Sequence, residues 1–262
     1  MREHGAEITW TVSVVEARGG VSPGGRTGTR YRPRQPVSRI RHRPRGSDVN
    51  AWERFITREW AKLYHRRMND TWMNTWFMGA RAEKLPADLW IYQEILHEVQ
   101  PDVIIETGTM NGGSAFYLAR MLDLLGKGRV VTIDIEDQGG RPEHERITYV
   151  RGSSIDPVIV ETVTTGLAPG DTVMVILDSD HSRDHVVAEL DVWSEFVSPG
   201  CYLIVEDGNV NGHPVLPKYG PGPTEAMEAW LPRHPEFAVD STREKFMHSF
   251  NPGGYLRRAS GA

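Results

Sequence analysis

From Val103 to Glu206, short apolar runs alternate with amphipathic stretches, and this alternation constrains the fold more than any other feature of the 262-residue chain. Val103-Ile104-Ile105-Glu106, Arg129–Asp134, Ile147–Val150, Thr172–Asp178 and Cys201–Glu206 read as strands. Gly113–Leu125, Ile155–Thr165 and Ser182–Val197 read as the helices between them. Strands alternating with helices predict an α/β fold, a doubly wound and mostly parallel sheet with helices on both faces. Two late strands, near Phe237–Asp240 and Lys245–Phe250, bring the expected sheet to seven. Ligands of such sheets bind beyond the carboxyl ends of the strands, so the residues there are the ones to inspect.

Upstream, Asn50–Met68 and Ala87–Val99 carry apolar residues at helical spacing and add N-terminal helices. Between them lies an aromatic stretch, Trp72 to Met78. Such density of Trp and Met fits packing or a subunit interface more readily than a lid or a substrate wall, and leads us to expect a homo-oligomer. Residues 1–46 hold ten Arg against three Glu, about +7, which leaves −12 for the rest of a chain whose net charge is −5. Rich in Gly, Pro and Ser, this tail is expected to be disordered. The acidic remainder argues against general nucleic-acid binding. No apolar run reaches eighteen residues, so no membrane span is expected. The lone Cys201 lies in a strand-like run and cannot form an intrachain disulfide, which fits a cytoplasmic protein.

The first strand runs into Glu106-Thr107-Gly108-Thr109-Met110-Asn111-Gly112-Gly113-Ser114. Glycines here allow a sharp turn and a close backbone approach to a ligand. The spacing is not G-x-G-x-x-G, so the dinucleotide fingerprint fails. Asp134 ends the second strand, where an acid can accept both ribose hydroxyls of an adenosine. Together they point to an adenosine ligand. NAD stays open, and with it an oxidoreductase, but the glycine spacing and Glu106 favour S-adenosylmethionine (SAM). Gly108, Thr109, Gly112, Ser114, Asp134 and Ser153, with Glu106 and Asp178, are the candidate cofactor residues.

The fourth strand ends in Leu177-Asp178-Ser179-Asp180-His181 and the fifth in Val205-Glu206-Asp207. In the usual strand order these are neighbours, about 5 Å apart. Asp178, Glu206 and Asp207 would then converge and repel one another, which a divalent cation relieves. Oxygen ligands suit Mg²⁺. Asp178 and His181 are the catalytic candidates: His181 could take a proton from a substrate hydroxyl, or serve only as a helix cap or a partner of the metal ligands. His213 is a rival base.

These motifs, with Lys84-Leu85-Pro86-Ala87-Asp88-Leu89-Trp90, Asn211-Gly212-His213-Pro214 and Phe250-Asn251-Pro252-Gly253-Gly254-Tyr255, resemble the family that joins rhamnosyl O-methyltransferases with the cephalosporin hydroxylase proteins. The resemblance covers roughly residues 70–258. It implies a Rossmann-like SAM-methyltransferase fold over 101–262, behind a helical and lid segment at 47–100. It implies a SAM site at Glu106, Gly108, Ser114 and Asp134, and a Mg²⁺ site at Asp178, Glu206 and Asp207. Related sugar O-methyltransferases carry a His three residues after the first metal Asp, matched here by His181. The expected activity is methylation of a hydroxyl on a small molecule, a deoxysugar by preference. The alternative is a SAM-binding accessory protein that assists a partner enzyme in natural-product hydroxylation or methylation.

Overall fold

The computed structural model describes residues 50–261, so the Arg-rich tail at 1–46 lies outside the described residues. Helix α1 (Ala51–Arg66) starts at a reciprocal cap. The Asn50 side chain accepts from the Glu53 amide at 2.9 Å, and the Glu53 carboxylate accepts from the Asn50 amide at 3.0 Å. Most of its apolar stripe is exposed, Trp52, Phe55 and Trp60 included. The aromatic stretch after it divides in two. Trp72 lies in a short 3-10 turn, edge-on to Phe250. Trp76 and Phe77 form β1 (Trp76–Phe77) of a small hairpin with β2 (Ala80–Arg81). Phe77 packs on Phe116 and Tyr117, while Trp76 and Met78 at the tip are exposed. Helix α2 (Pro86–Val99) opens on a proline and closes where Gln100 adopts a left-handed backbone before Pro101.

The main sheet has seven strands: β3 (Val103–Thr107), β4 (Arg129–Asp134), β5 (Ile147–Arg151), β6 (Val173–Leu177), β7 (Tyr202–Val205), β8 (Phe237–Val239) and β9 (Tyr255–Arg258). They lie in the order β5-β4-β3-β6-β7-β9-β8. The first five run parallel, and β9 enters antiparallel between β7 and β8. Every residue of β3, β6 and β7 is buried, as the continuous apolar runs require of central strands covered on both faces. Helices α3 (Gly113–Leu125), α4 (Pro157–Thr164), α5 (Arg183–Trp193) and α6 (Pro223–Trp230) complete the layers, α3 packed with α2 and α6 with α5. Among the described residues, no helix is long and apolar enough to cross a membrane.

One expected strand is misplaced. Residues 245–250 form turns, and the last strand is β9. Phe246 and Met247, whose apolar character suggested a strand, are exposed, and Met247 has a positive φ of 66°. The amide of Phe250 and the hydroxyl of Ser249 donate to the Asp88 carboxylate on α2, which takes the place of a strand partner. Only after Asn251-Pro252-Gly253-Gly254 does the chain turn into the sheet.

Candidate active site

A cleft of about 960 Å³ opens over the carboxyl ends of β3 to β7. Gly108, Thr109, Ser114, Asp134, Ser153, Asp178, His181 and Asp207 line it, whereas Glu106, Gly112 and Glu206 do not. Gly108 follows β3 with φ +84°, and a Cβ there would fall 1.9 Å from the carbonyl oxygen of Asp178. Only a glycine lets the ends of β3 and β6 approach this closely. Gly113 answers a second close approach: its Cβ would lie 2.1 Å from the carbonyl oxygen of Arg81, so the hairpin rests on the first turn of α3. Gly112, the residue before α3, lies beneath the Tyr149 hydroxyl.

Asp134 holds this loop. Its Oδ2 accepts from the amides of Thr109 (3.1 Å) and Met110 (2.7 Å) and from Arg141 (3.3 Å). Among the described residues, its Oδ1 accepts only from the Glu136 amide, which leaves capacity for one more donor. Glu106 is 1 % exposed; the Thr132 hydroxyl donates to its Oε2 at 2.7 Å, and its Oε1 has no hydrogen-bond partner among the described residues. Burial pushes its carboxyl up to about 7, against the opposing Lys84 charge and the hydroxyls of Ser114 and Thr132. A buried acceptor without a partner is costly unless a ligand supplies the donor. The ammonium group of an amino-acid-bearing nucleoside such as SAM is such a donor, so these residues fit that cofactor.

At the other end of the cleft, Leu177 of β6 pairs in register with Val205 of β7, which sets Asp178 beside Glu206. Donor atoms of Asp178, His181 and Asp207 lie within 4.8 Å of one another, a group able to hold a cation. His181 Nε2 is 3.0 Å from Asp207 Oδ2. Burial would lower the His181 pKa, but the carboxylates of Asp207, Asp178 and Glu206 outweigh it and raise it. Glu206 is not part of that group: Asp207, the residue after it, has a left-handed φ of 52°, and Glu206 faces Lys84 and Tyr92 instead. Its Oε2 is 2.7 Å from Lys84 Nζ, and the Tyr92 hydroxyl donates to its Oε1 at 2.6 Å. Lys84 also pairs with Asp178 Oδ2. Burial raises the pKa of both Asp178 and Glu206, and the Lys84 ammonium opposes it.

Trp72 and Met73, from the aromatic stretch, line the cleft, and several other lining residues were not expected from the sequence. Trp72, Met73, Leu216, Tyr219 and Phe250 form an apolar wall beyond the carboxylates. Ser154 and Ser179 both donate to Glu189 Oε1 and lie 3.3 and 3.1 Å from His185 Nε2, tying the exits of β5 and β6 together. Lys84 was visible only as the first residue of a motif to which no role was given. His213 pairs with Glu225 at 3.0 Å and does not line the cleft.

A seven-stranded sheet of this order, with a glycine turn after its central strand, is the SAM-dependent methyltransferase fold. The model of the Rhamnosyl O-methyltransferase/CmcI family matches residues 69–259. The chain belongs to that family. It is 41% identical over 211 residues to a rhamnosyl O-methyltransferase of Mycobacterium tuberculosis, covering 78% of this chain and 85% of that protein. A rhamnosyl O-methyltransferase of Mycobacterium leprae is 38% identical over 210 residues, 78% of this chain and 90% of that one. Among solved structures, the CmcI apo-structure aligns with TM-score 0.57 at 21% identity over 72% of this chain and 78% of its own. A CmcI structure with Mg and SAM aligns at 0.55, with the same identity and coverage.

Proposed function

We propose that this SAM-dependent O-methyltransferase methylates a hydroxyl of a deoxysugar, rhamnose-like and either nucleotide-linked or carried on a glycosylated natural product, in a Mg²⁺-dependent reaction of secondary metabolism. The observation that carries the reading is the placing of Asp178, Asp207 and His181 at one end of the cleft whose other end is the glycine turn of Gly108 and Asp134. The names of the mycobacterial relatives support the sugar, and the carboxylate group supports the cation.

SAM, when bound, supplies an electrophilic methyl group, and Mg²⁺ would lower the pKa of an acceptor hydroxyl. Glu106 Oε1 would take the donor's ammonium and Asp134 Oδ1 a ribose hydroxyl, with Thr109, Ser114 and Ser153 along the donor. Asp178 and Asp207 would hold the ion, joined by Glu206 through whichever oxygen lone pairs Lys84 and Tyr92 leave it. His181, its Nε2–H given to Asp207, presents Nδ1 as proton acceptor for the attacking hydroxyl. The apolar wall of Trp72, Tyr219 and Phe250 would seat the less polar face of the acceptor and exclude water. Holding donor and acceptor in line can contribute about 7–11 kcal/mol to lowering the barrier.

The test is calorimetric titration with SAM and S-adenosylhomocysteine, with and without Mg²⁺, followed by mass spectrometry of rhamnosylated acceptors for one added methyl group. Binding with Mg²⁺-dependent transfer is expected. Binding without transfer to any sugar would move the protein to the accessory role, and no binding would end the methyltransferase reading.

A further inference from the structure

Lys84 is built into the acidic end of the cleft from 94 residues away in sequence. Its side chain is 7% exposed. Its backbone amide donates to Thr75 Oγ1 at 3.1 Å, while the Thr75 hydroxyl donates to the Trp72 carbonyl at 2.9 Å and lies 3.2 Å from the Lys84 carbonyl. The next residues, Leu85 and Pro86, begin α2. The ammonium bridges Asp178 Oδ2 and Glu206 Oε2. Tyr92 fixes the far oxygen of Glu206, and the Asn251 side-chain amide donates to the Tyr92 oxygen at 3.2 Å. Pulling this ammonium away would leave a buried, uncompensated charge, which is strongly unfavourable. Lys84 is therefore a permanent member of the cluster.

Its presence fixes the formal charge there. With His181 neutral, as its role as proton acceptor requires, Asp178, Glu206 and Asp207 together carry −3, and Lys84 reduces this to −2, the complement of one divalent ion. Without Lys84 the same three carboxylates would complement a trivalent ion. We propose that Lys84 determines the charge selectivity of the metal site, matching it to a divalent cation. This rests on the divalent-ion reading above.

The experiment measures affinities of the full chain for Mg²⁺ by calorimetry and for Tb³⁺ by luminescence, without SAM, in the wild type and in Lys84→Met, Lys84→Gln and Lys84→Arg. Taking the ratio of the two affinities cancels general loosening of the site. The Tb³⁺-to-Mg²⁺ ratio should rise about tenfold or more in the two neutral variants, because each removes one unit of positive charge next to the ion. Lys84→Arg should keep the wild-type ratio. The double variant Lys84→Met/Glu206→Gln removes one charge of each sign and returns the cluster to −2. It should also restore the wild-type ratio, which a purely structural role for Lys84 does not predict. It guards as well against a single variant that fails to fold, since it removes one of the two buried carboxylates that the loss of Lys84 leaves without its ammonium. An unchanged ratio in the neutral variants, or a raised ratio in the double variant, overturns the proposal. A wild type that binds neither ion overturns the divalent-ion reading itself, and the proposal with it.

Discussion

The two ends of the cleft are made in different ways. The donor end is local: a glycine turn, one strand-end carboxylate and the amides of the next few residues hold each other, with Asp134 accepting from Thr109 and Met110 within the same βαβ unit. The acidic end is assembled from distant segments: Asp178 and Glu206 are held by Lys84 and Tyr92, which lie before β3 in a different part of the chain. Backbone shape defines the first end and balanced charge the second. Changes at the donor end should therefore appear as altered packing or affinity, and changes at the acidic end as lost chemistry.

The largest expected effect tests that division. Asp178→Asn should reduce turnover about a thousandfold and abolish metal binding, read by steady-state methyl transfer and calorimetry, while SAM affinity changes little. A comparable loss of SAM binding would show that the two ends are one unit. His181→Ala should cost about 10²–10⁴ in kcat with SAM binding retained. Unchanged turnover would remove His181 as the base. Gly108→Ala, at the point where the two ends touch, should destabilise the fold by about 3 kcal/mol in denaturant unfolding. Wild-type stability would mean that the Asp178 backbone yields to the added methyl group.

Glu106 gives a subtler test. Its carboxyl titrates near about 7 against an ordinary 4.5, raised by burial. In the donor-free protein its contribution to stability is full below 4.5 and is lost as pH rises through about 7. An ammonium ligand favours the ionised form, so SAM binding should strengthen as pH rises through about 7. Glu106→Gln should bind SAM roughly tenfold more weakly at pH 8 and lose this slope. A pH-independent wild type would break the assignment. The smallest change is at the apolar wall, where Trp72→Ala should raise the acceptor KM by about three- to tenfold and leave the SAM affinity alone.

The difference between the ends also explains what could be read from the sequence. The parallel core was legible because continuous apolar runs such as Val173–Leu177 admit few environments. Asp178 and Asp207 were legible as strand-end residues in a fold whose ligands bind there. Glu206 shared that position, but its orientation depends on a lysine 122 residues earlier, which spacing alone does not reveal. Tyr92 reads as an ordinary core residue of α2 until its hydroxyl is seen on Glu206. The false strand at 245–250 would have put Phe246 and Met247 in the sheet, whereas both are exposed and the end of the segment is held by the Asp88 carboxylate. Each of these features rests on a side-chain contact between remote elements.

The contact between Gly113 and the Arg81 carbonyl bears on how such a protein can diversify. With 2.1 Å between that oxygen and a would-be Cβ, the hairpin and the first turn of α3 share one surface with no spare thickness. The tip at Trp76 and Met78 is free to vary in length and composition, but the Arg81 end must travel with the donor turn. A chimaera that imports a relative's segment before α2 should therefore splice at the exposed tip, because a junction at Arg81 would disturb the backbone contact on which the glycine turn rests.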